Sequence, residues 1–199
     1  GGGSLTALPI VETKGGNIAA YIPTNLIAIT DGQIVLTTEL FNLGVKPAIQ
    51  VGLSVSRVGG AAQSAAMRAV AGTLRLALAQ FEEVSRFARF GVEIDEATRL
   101  QIRRGERLRA VLNQGPNQPL SPADEVAILF AANVGFLDDI PLREVAAFEQ
   151  ELLDYVKAKE PDLCYELDHT GQWTDEIQNV LRTTCSDYHA VWRRRKGSV

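Results

Sequence analysis

Cysteine and histidine are scarce, with two of each among 199 residues. Cys164 and Cys185 are too few for a disulfide framework and suit a reducing compartment. His169 and His189 both fall in the last helical segment and the turn before it, so no serine-histidine-acid arrangement is assigned around them. Each cysteine has a histidine close by in sequence, and Cys185 and His189 stand one helical turn apart. Two readings of this quartet stay open: a zinc site, or free core thiols beside surface histidines. There is no phosphate loop of the form Gly-four residues-Gly-Lys-Ser/Thr and no dinucleotide fingerprint, which excludes binding of a nucleoside triphosphate by this chain alone. The longest apolar run, 126–137, is broken by Asn133 and Gly135 and is shorter than the roughly 20 residues that span a bilayer, so no transmembrane segment is expected. Large basic faces are also missing outside the C-terminal end, and the net charge is -4, so nucleic acid is not an expected partner. Arg193-Arg194-Arg195-Lys196 reads as a solvated tail, with contact to anionic lipid or an acidic partner as the alternative. No methionine and no charged-then-apolar leader opens the chain, which points to a processed product or a fragment. By composition Gly1-Gly2-Gly3-Ser4 could serve as a flexible linker.

What is present is 46% hydrophobic residues, enough for one large domain or two small ones. Residues 5–12 form a short apolar run that fits a buried strand, with Pro9 marking a strand end or edge. Residues 26–30 are apolar again. Asp31-Gly32 signals a turn into Gln33-Ile34-Val35-Leu36, which has strand character. Residues 37–43 can make two helical turns, and Lys46-Pro47 resets the chain for another short strand over 48–53. Brief connections between short apolar segments suggest a buried sheet of α/β type. Sixty residues are too few to close a parallel sheet, so this part should complete one whose other strands come from elsewhere.

Beyond Gly60 the period changes to that of helices. Met67, Val70, Leu74, Leu78, Phe81, Val84 and Phe87 describe one long amphipathic helix ending at Gly91. A second runs over about 95–112 and is stopped by Asn113-Gln114-Gly115-Pro116-Asn117-Gln118-Pro119. Ser121-Pro122-Ala123-Asp124 is a helix start, with a capping serine, proline in the first turn and an acid beside it. Two more helices follow, one after Asp139-Ile140-Pro141 and one from near Thr174. The expected fold class is α/β plus all-α, with a helical bundle making up the C-terminal two thirds.

Where the two parts meet, Val51-Gly52-Leu53-Ser54-Val55-Ser56-Arg57-Val58-Gly59-Gly60 runs from an apolar segment into a loop offering one arginine. A planar, charged fork of donors at a strand end can stabilise charge on a transferring phosphate. A surface arginine in a strand-to-helix turn is the other reading.

Gly2-Gly3-Ser4-Leu5-Thr6-Ala7-Leu8-Pro9, Ala20-Tyr21-Ile22-Pro23-Thr24-Asn25, Ile29-Thr30-Asp31-Gly32-Gln33, Pro47-Ala48-Ile49 and the Val51 to Gly59 stretch closely resemble the α subunit of F-type ATP synthase. The likeness continues through Ala71-Gly72-Thr73-Leu74, Leu129-Phe130-Ala131-Ala132 and Phe148-Glu149, and thins through Thr170-Gly171 and Asp175-Glu176-Ile177. It makes the first four residues native sequence. What the resemblance implies is the C-terminal part of a RecA-like nucleotide-binding domain over 1–62 followed by a helical bundle over 63–199. The rest of the subunit would be an N-terminal fragment of the same α subunit, cleaved or split from this chain and associated with it. By resemblance Arg57 is an arginine finger reaching the catalytic site of a neighbouring β subunit, with Val55 and Ser56 beside it. Phe41, Lys46, Pro47 and Gln114 match positions around the adenine of a non-catalytic nucleotide. The nucleotide would be ATP or ADP with Mg2+ whose ligands are not on this chain. The implied partners are β subunits, a central-stalk γ subunit and a peripheral stalk or lineage-specific subunits. The basic end and the processed start suit the matrix side of the mitochondrial inner membrane, with the bacterial cytoplasmic face and the chloroplast stroma as alternatives. Ala28 stands where the family has serine, Lys46 where it has arginine and Pro116 where it has glutamine, the last two bearing on nucleotide occupancy. The competing function is a helical assembly module without a catalytic part.

Overall fold

The computed structural model describes residues 2–88 and 95–196. Residues 5–12 are not the expected buried strand: they have no regular structure, and Leu5, Leu8 and Ile10 are 97%, 81% and 99% exposed. Among the described residues this segment has no neighbouring strand, so its backbone groups have no ladder to join. The apolar stretch after it is helical: α1 spans Tyr21–Ile29 with Pro23 in its first turn, and Thr30 closes it by donating its hydroxyl to the Leu26 carbonyl at 2.7 Å. A short apolar run does not separate strand from helix by period alone, so the apolar stretch 26–30 proves to be the end of a helix and not a further segment of the expected sheet.

Two short strands follow, β1 (Gly32–Gln33) and β2 (Val55–Ser56), paired antiparallel with Gly32 opposite Ser56 and Gln33 opposite Val55. Between them lie α2 (Thr38–Asn42), capped by the Thr37 hydroxyl, and a single bridge from Leu36 to Ile49. The strand expected over 48–53 is replaced by a turn, in which the Leu53 and Ser54 amides both donate to the Gln50 carbonyl. The sheet among the described residues is thus a small antiparallel pair, not a parallel one. After α3 (Gly59–Ala62) the chain is helical.

The long helix α4 covers Ala65–Ala88; its expected end at Gly91 lies outside the described residues. Asp95 caps α5 (Glu96–Val111) by accepting from the Thr98 amide at 2.8 Å. The predicted start at Ser121 holds, since Ser121 and Asp124 form a reciprocal capping box on α6 (Pro122–Val134). Gly135 ends that helix at φ +97°, with its amide on the Ala131 and Ala132 carbonyls, a conformation glycine adopts without steric cost. A 3-10 turn at Leu142–Glu144 leads into α7 (Val145–Lys159). Sequence periodicity did not resolve α8 (Pro161–His169), which starts on a proline and precedes α9 (Asp175–Lys196).

Helix α6 is the centre of the bundle. Residues 126–132 are all buried, and the helix packs against α4, α5, α7, α8 and α9. A helix apolar on every side needs such a cover. Its charged start is also accommodated, with Asp124 paired to Lys157 at 2.7 Å and the Ala123 amide donating to Asp168 at 2.7 Å. Helices α4 and α5 meet where Gly105 faces Phe81, and a Cβ at Gly105 would overlap that ring.

The basic end is exposed, as expected from its charge, but it is helical and ion-paired rather than a free tail. It is the last turn of α9, drawn onto acids of α7 and the segment before it. Lys196 pairs with Glu144 at 2.9 Å, Arg195 with Glu151 at 2.6 Å, and Arg193 with Asp139 at 3.4 Å. Glu151 also accepts from the Tyr188 hydroxyl at 2.9 Å, and Asp139 is shared with His189 at 2.8 Å. The Arg195 guanidinium, foremost, holds the Glu151 carboxyl below its ordinary range. The run stays helical because its charges find partners one helix away, although exposed pairs of this kind each contribute no more than about 1 kcal/mol.

Glu149 on α7 behaves differently, because burial pushes its carboxyl up to about 7. An acid raised in the folded state contributes fully below its unfolded value, near 4.5, and that contribution is lost as the pH rises through about 7. Glu149→Gln is therefore expected to match the parent chain at the acidic end of this window. Above it the variant should be more stable by on the order of 1 kcal/mol, solvent on the open side screening the rest. Thermal melts of both chains across that window check the crossing, and a gap independent of pH contradicts it.

Candidate functional site

Arg57 sits at the end of β2, in the turn leading to α3. Its backbone is fixed from below, the amide donating to the Asp31 carbonyl at 2.8 Å. Ser56 turns the chain into α3 by accepting the Gly59 amide on its hydroxyl at 2.8 Å. The strand pair beneath needs a residue without a Cβ at Gly32, where a side chain would overlap the Val55 carbonyl and come within 2.8 Å of the Ser56 Cα. Gln33 adds a third tie by donating its amide to the Leu53 carbonyl at 3.1 Å. The base of the loop is thus held while its side chains face outward: Val55, Ser56 and Arg57 are all exposed. The guanidinium donates to the Ile27 carbonyl at 3.3 Å and, among the described residues, has no carboxylate partner. Such a group retains donors for an anion supplied from outside the chain.

A second cluster joins segments far apart in sequence. The Lys46 amide donates to the Asn113 side chain at 3.0 Å, and the Gln114 amide donates to the Lys46 carbonyl at 2.8 Å. These bonds bring the α5–α6 loop against the segment after α2, at the cis Lys46-Pro47 bond. Lys46 Nζ lies 5.3 Å from the centroid of the Phe41 ring, which is 58% exposed. The Gln114 side chain donates to the Gln118 carbonyl at 2.8 Å. The structure therefore brings Phe41, Lys46, Pro47 and Gln114 to one exposed junction with an aromatic face, a cation and an amide, groups suited to stacking on and hydrogen bonding a base.

Residues 63–188 match the family model described as ATP synthase alpha/beta chain, C terminal domain. The chain belongs to the ATP synthase alpha/beta family. Residues 1–56 match the nucleotide-binding domain of that family. An ATP synthase subunit alpha of Aquifex aeolicus (strain VF5) is 52% identical over 182 residues, 92% of this chain and 36% of the relative. One from Mannheimia succiniciproducens is 48% identical over 188 residues, covering 94% and 37%. One from Salinibacter ruber is 48% identical over 192 residues, covering 96% and 35%. The chain thus spans 35% to 37% of the length of these curated relatives. All three are bacterial, so they give the expected mitochondrial placement no support.

Within this family member the two clusters are separate, and the structure does not unite the cysteines and histidines into a third. Cys185 is buried, and burial pushes its thiol up to about 12. His169 stacks on Tyr165 with ring centroids 4.0 Å apart, while His189 is held by Asp139. Among the described residues no group of three or more His, Cys, Asp and Glu is placed to hold a metal ion. The contributors that sequence reasoning missed are the Ile27 and Asp31 carbonyls behind Arg57 and the Asn113 side chain behind Lys46. Asp31-Gly32 was legible as a turn and Asn113 as part of a helix stop, but neither carries a signal for its distant partner.

Proposed function

We propose that this chain is the C-terminal portion of an ATP synthase α subunit: the last part of a RecA-like domain (1–62) followed by a helical bundle (63–199). It acts in an alternating α/β hexamer for rotary ATP synthesis and hydrolysis, around a γ subunit, with the remainder of its own subunit supplied by an N-terminal fragment. The observation that carries this reading is the outward Arg57, fixed at its amide by Asp31 at 2.8 Å and without a carboxylate partner among the described residues. Presented in trans, it stabilises charge developing on the γ-phosphate of a nucleotide held by the neighbouring β subunit. Val55 and Ser56 flank it at that interface.

A non-catalytic ATP or ADP fits the second cluster. Phe41 offers a ring face, Lys46 a cation above it and Gln114 an amide, with Pro47 completing the wall. A Mg2+ bound with the nucleotide would neutralise phosphate charge, its ligands lying elsewhere in the assembly. The exposed Leu5, Leu8 and Ile10 support an apolar contact to another chain. Among the described residues no helix is long and apolar enough to cross a membrane, so attachment to the proton-conducting part would run through other subunits, peripheral-stalk or lineage-specific ones included. The bacterial relatives favour the cytoplasmic face of a bacterial membrane over the mitochondrial matrix as the location.

Native mass spectrometry of the particle from which the chain is purified tests this reading. The expected result is a large assembly containing β-type subunits and a second fragment with the phosphate loop. A well-folded lone monomer would overturn it and favour the helical assembly module.

A further inference from the structure

An open-sided pocket of about 620 Å³ lies between the segment after α2 and the helices α4, α5 and α7, with Val45, Phe81, Ser85, Ile102, Arg109 and Asn113 on its walls. That volume lies within the range of small-molecule sites, roughly 300–1,000 Å³. Its floor is apolar, since Phe81 is buried and Ile102 half-buried. Its charge comes from Arg109, and the pairing of the α5 arginines makes that residue stand apart. Arg99 and Arg103 both reach Glu96, Arg104 binds Asp138, and Arg107 donates to the Leu137 and Ile140 carbonyls. Arg109 lies over Phe81 with its guanidinium carbon 4.7 Å from the ring centroid, and among the described residues it has no carboxylate and no hydrogen-bond acceptor. A half-buried guanidinium held over a ring, with no carboxylate among the described residues, keeps donors available for an anion. Asn113 adds to this, because its oxygen is taken by the Lys46 amide and its NH2 group remains as a donor on the wall. The Ser85 hydroxyl is a third. Among the described residues Glu106 is the one acid on the wall, and it lies 3.9 Å from Arg107.

We propose that this cavity binds an amphipathic monocarboxylate, its carboxylate on Arg109 and its aliphatic or aromatic body over Phe81 and Ile102. A carboxylate rather than a phosphate is favoured because one guanidinium and two neutral donors match a single negative charge, and apolar walls take up the rest of the volume. Apart from Asn113, which also accepts the Lys46 amide, the site shares no residue with those assigned to the nucleotide or to Arg57.

Decanoate titrated calorimetrically into the full 199-residue chain tests the proposal. The expected result is one saturable site, weakened about tenfold to a hundredfold by Arg109→Gln, the loss that goes with a charge-assisted bond. Decanol, of the same length but uncharged, should bind more weakly and be indifferent to that variant. Ala146→Phe, which fills the cavity from α7 without altering Arg109, should abolish binding, and it decides the question if Arg109→Gln fails to fold. Equal decanoate affinity in the parent and Ala146→Phe chains, or in a folded Arg109→Gln chain, overturns the proposal. So does non-saturable uptake, which would place decanoate on exposed apolar surface such as Leu5, Leu8 and Ile10.

Discussion

Replacing Arg57 with alanine is expected to leave the assembled enzyme intact and to cut its ATP turnover by about three to five orders of magnitude, the range for arginine fingers in phosphoryl transfer. The structural cost is small because the side chain is exposed and, among the described residues, makes one hydrogen bond, at 3.3 Å to the Ile27 carbonyl. Surface changes of that kind fall within about 0.5 kcal/mol. The loop would keep its shape, since Asp31, Ser56 and Gly32 hold its backbone and none depends on the guanidinium. Arg57→Lys should recover only a minor part of the rate, because an ammonium supplies a point charge without the planar fork. Multiple-turnover hydrolysis by the complex, with native mass recorded on the same sample, separates a lost charge contact from lost assembly. Turnover unchanged in an assembled Arg57→Ala complex would make the arginine incidental and leave the chain as a structural module.

The contrast between the two halves of the molecule follows from where their partners lie. In the helical part the information is local. The apolar spacing of Met67, Val70, Leu74, Leu78 and Phe81 defines α4, and the Ser121 to Asp124 capping box defines the start of α6, both within a turn or two of chain. The first sixty residues offer no such closure. The segment 5–12 is composed like a buried strand, and its apolar side chains stand in solvent because strand formation depends on a neighbour that no described residue provides. Residues 26–30 could not be assigned to an element for another reason, a run too short for its period to distinguish strand from helix. The candidate site divides in the same way. Arg57 was visible as a strand-end arginine from adjacent residues, whereas the Lys46–Asn113 bond links positions 67 apart, a separation across which spacing carries no information. The grouping of Gln114 with Phe41 and Lys46 rests on the family resemblance, and the geometry supplies its physical content. At the basic end charge announced the exposure but not the ion pairs, because Glu144, Glu151 and Asp139 lie far off in sequence on neighbouring elements.

Phe148→Ala should destabilise the chain by about 3–5 kcal/mol, the range for removing a large aromatic side chain from a packed core. Phe148 is fully buried on α7, and its ring is surrounded from α9: Trp192 meets it edge-on at 5.3 Å, Tyr188 at 5.3 Å and His189 at 6.2 Å. Truncation therefore removes the transfer term and three ring contacts together. Relaxation into the space is limited on both sides. Tyr188 is tied to Glu151 at 2.9 Å and His189 to Asp139 at 2.8 Å, so neither ring can follow without breaking a polar contact. Against a typical total stability of about 5–15 kcal/mol, such a loss brings a domain close to unfolding at growth temperature. Urea unfolding of the parent and variant chains gives the value, a lower midpoint at unchanged slope indicating lost stability rather than a changed folded state. A loss below about 1 kcal/mol would mean that α7 and α9 close over the gap, and that the polar ties at Glu151 and Asp139 do not fix the rings. Arg57 and Phe148 belong to different parts of the chain and share no partner, so their effects should be independent. Phe148→Ala should alter unfolding while leaving the turnover of whatever complex still assembles near that of the parent, and Arg57→Ala should do the reverse.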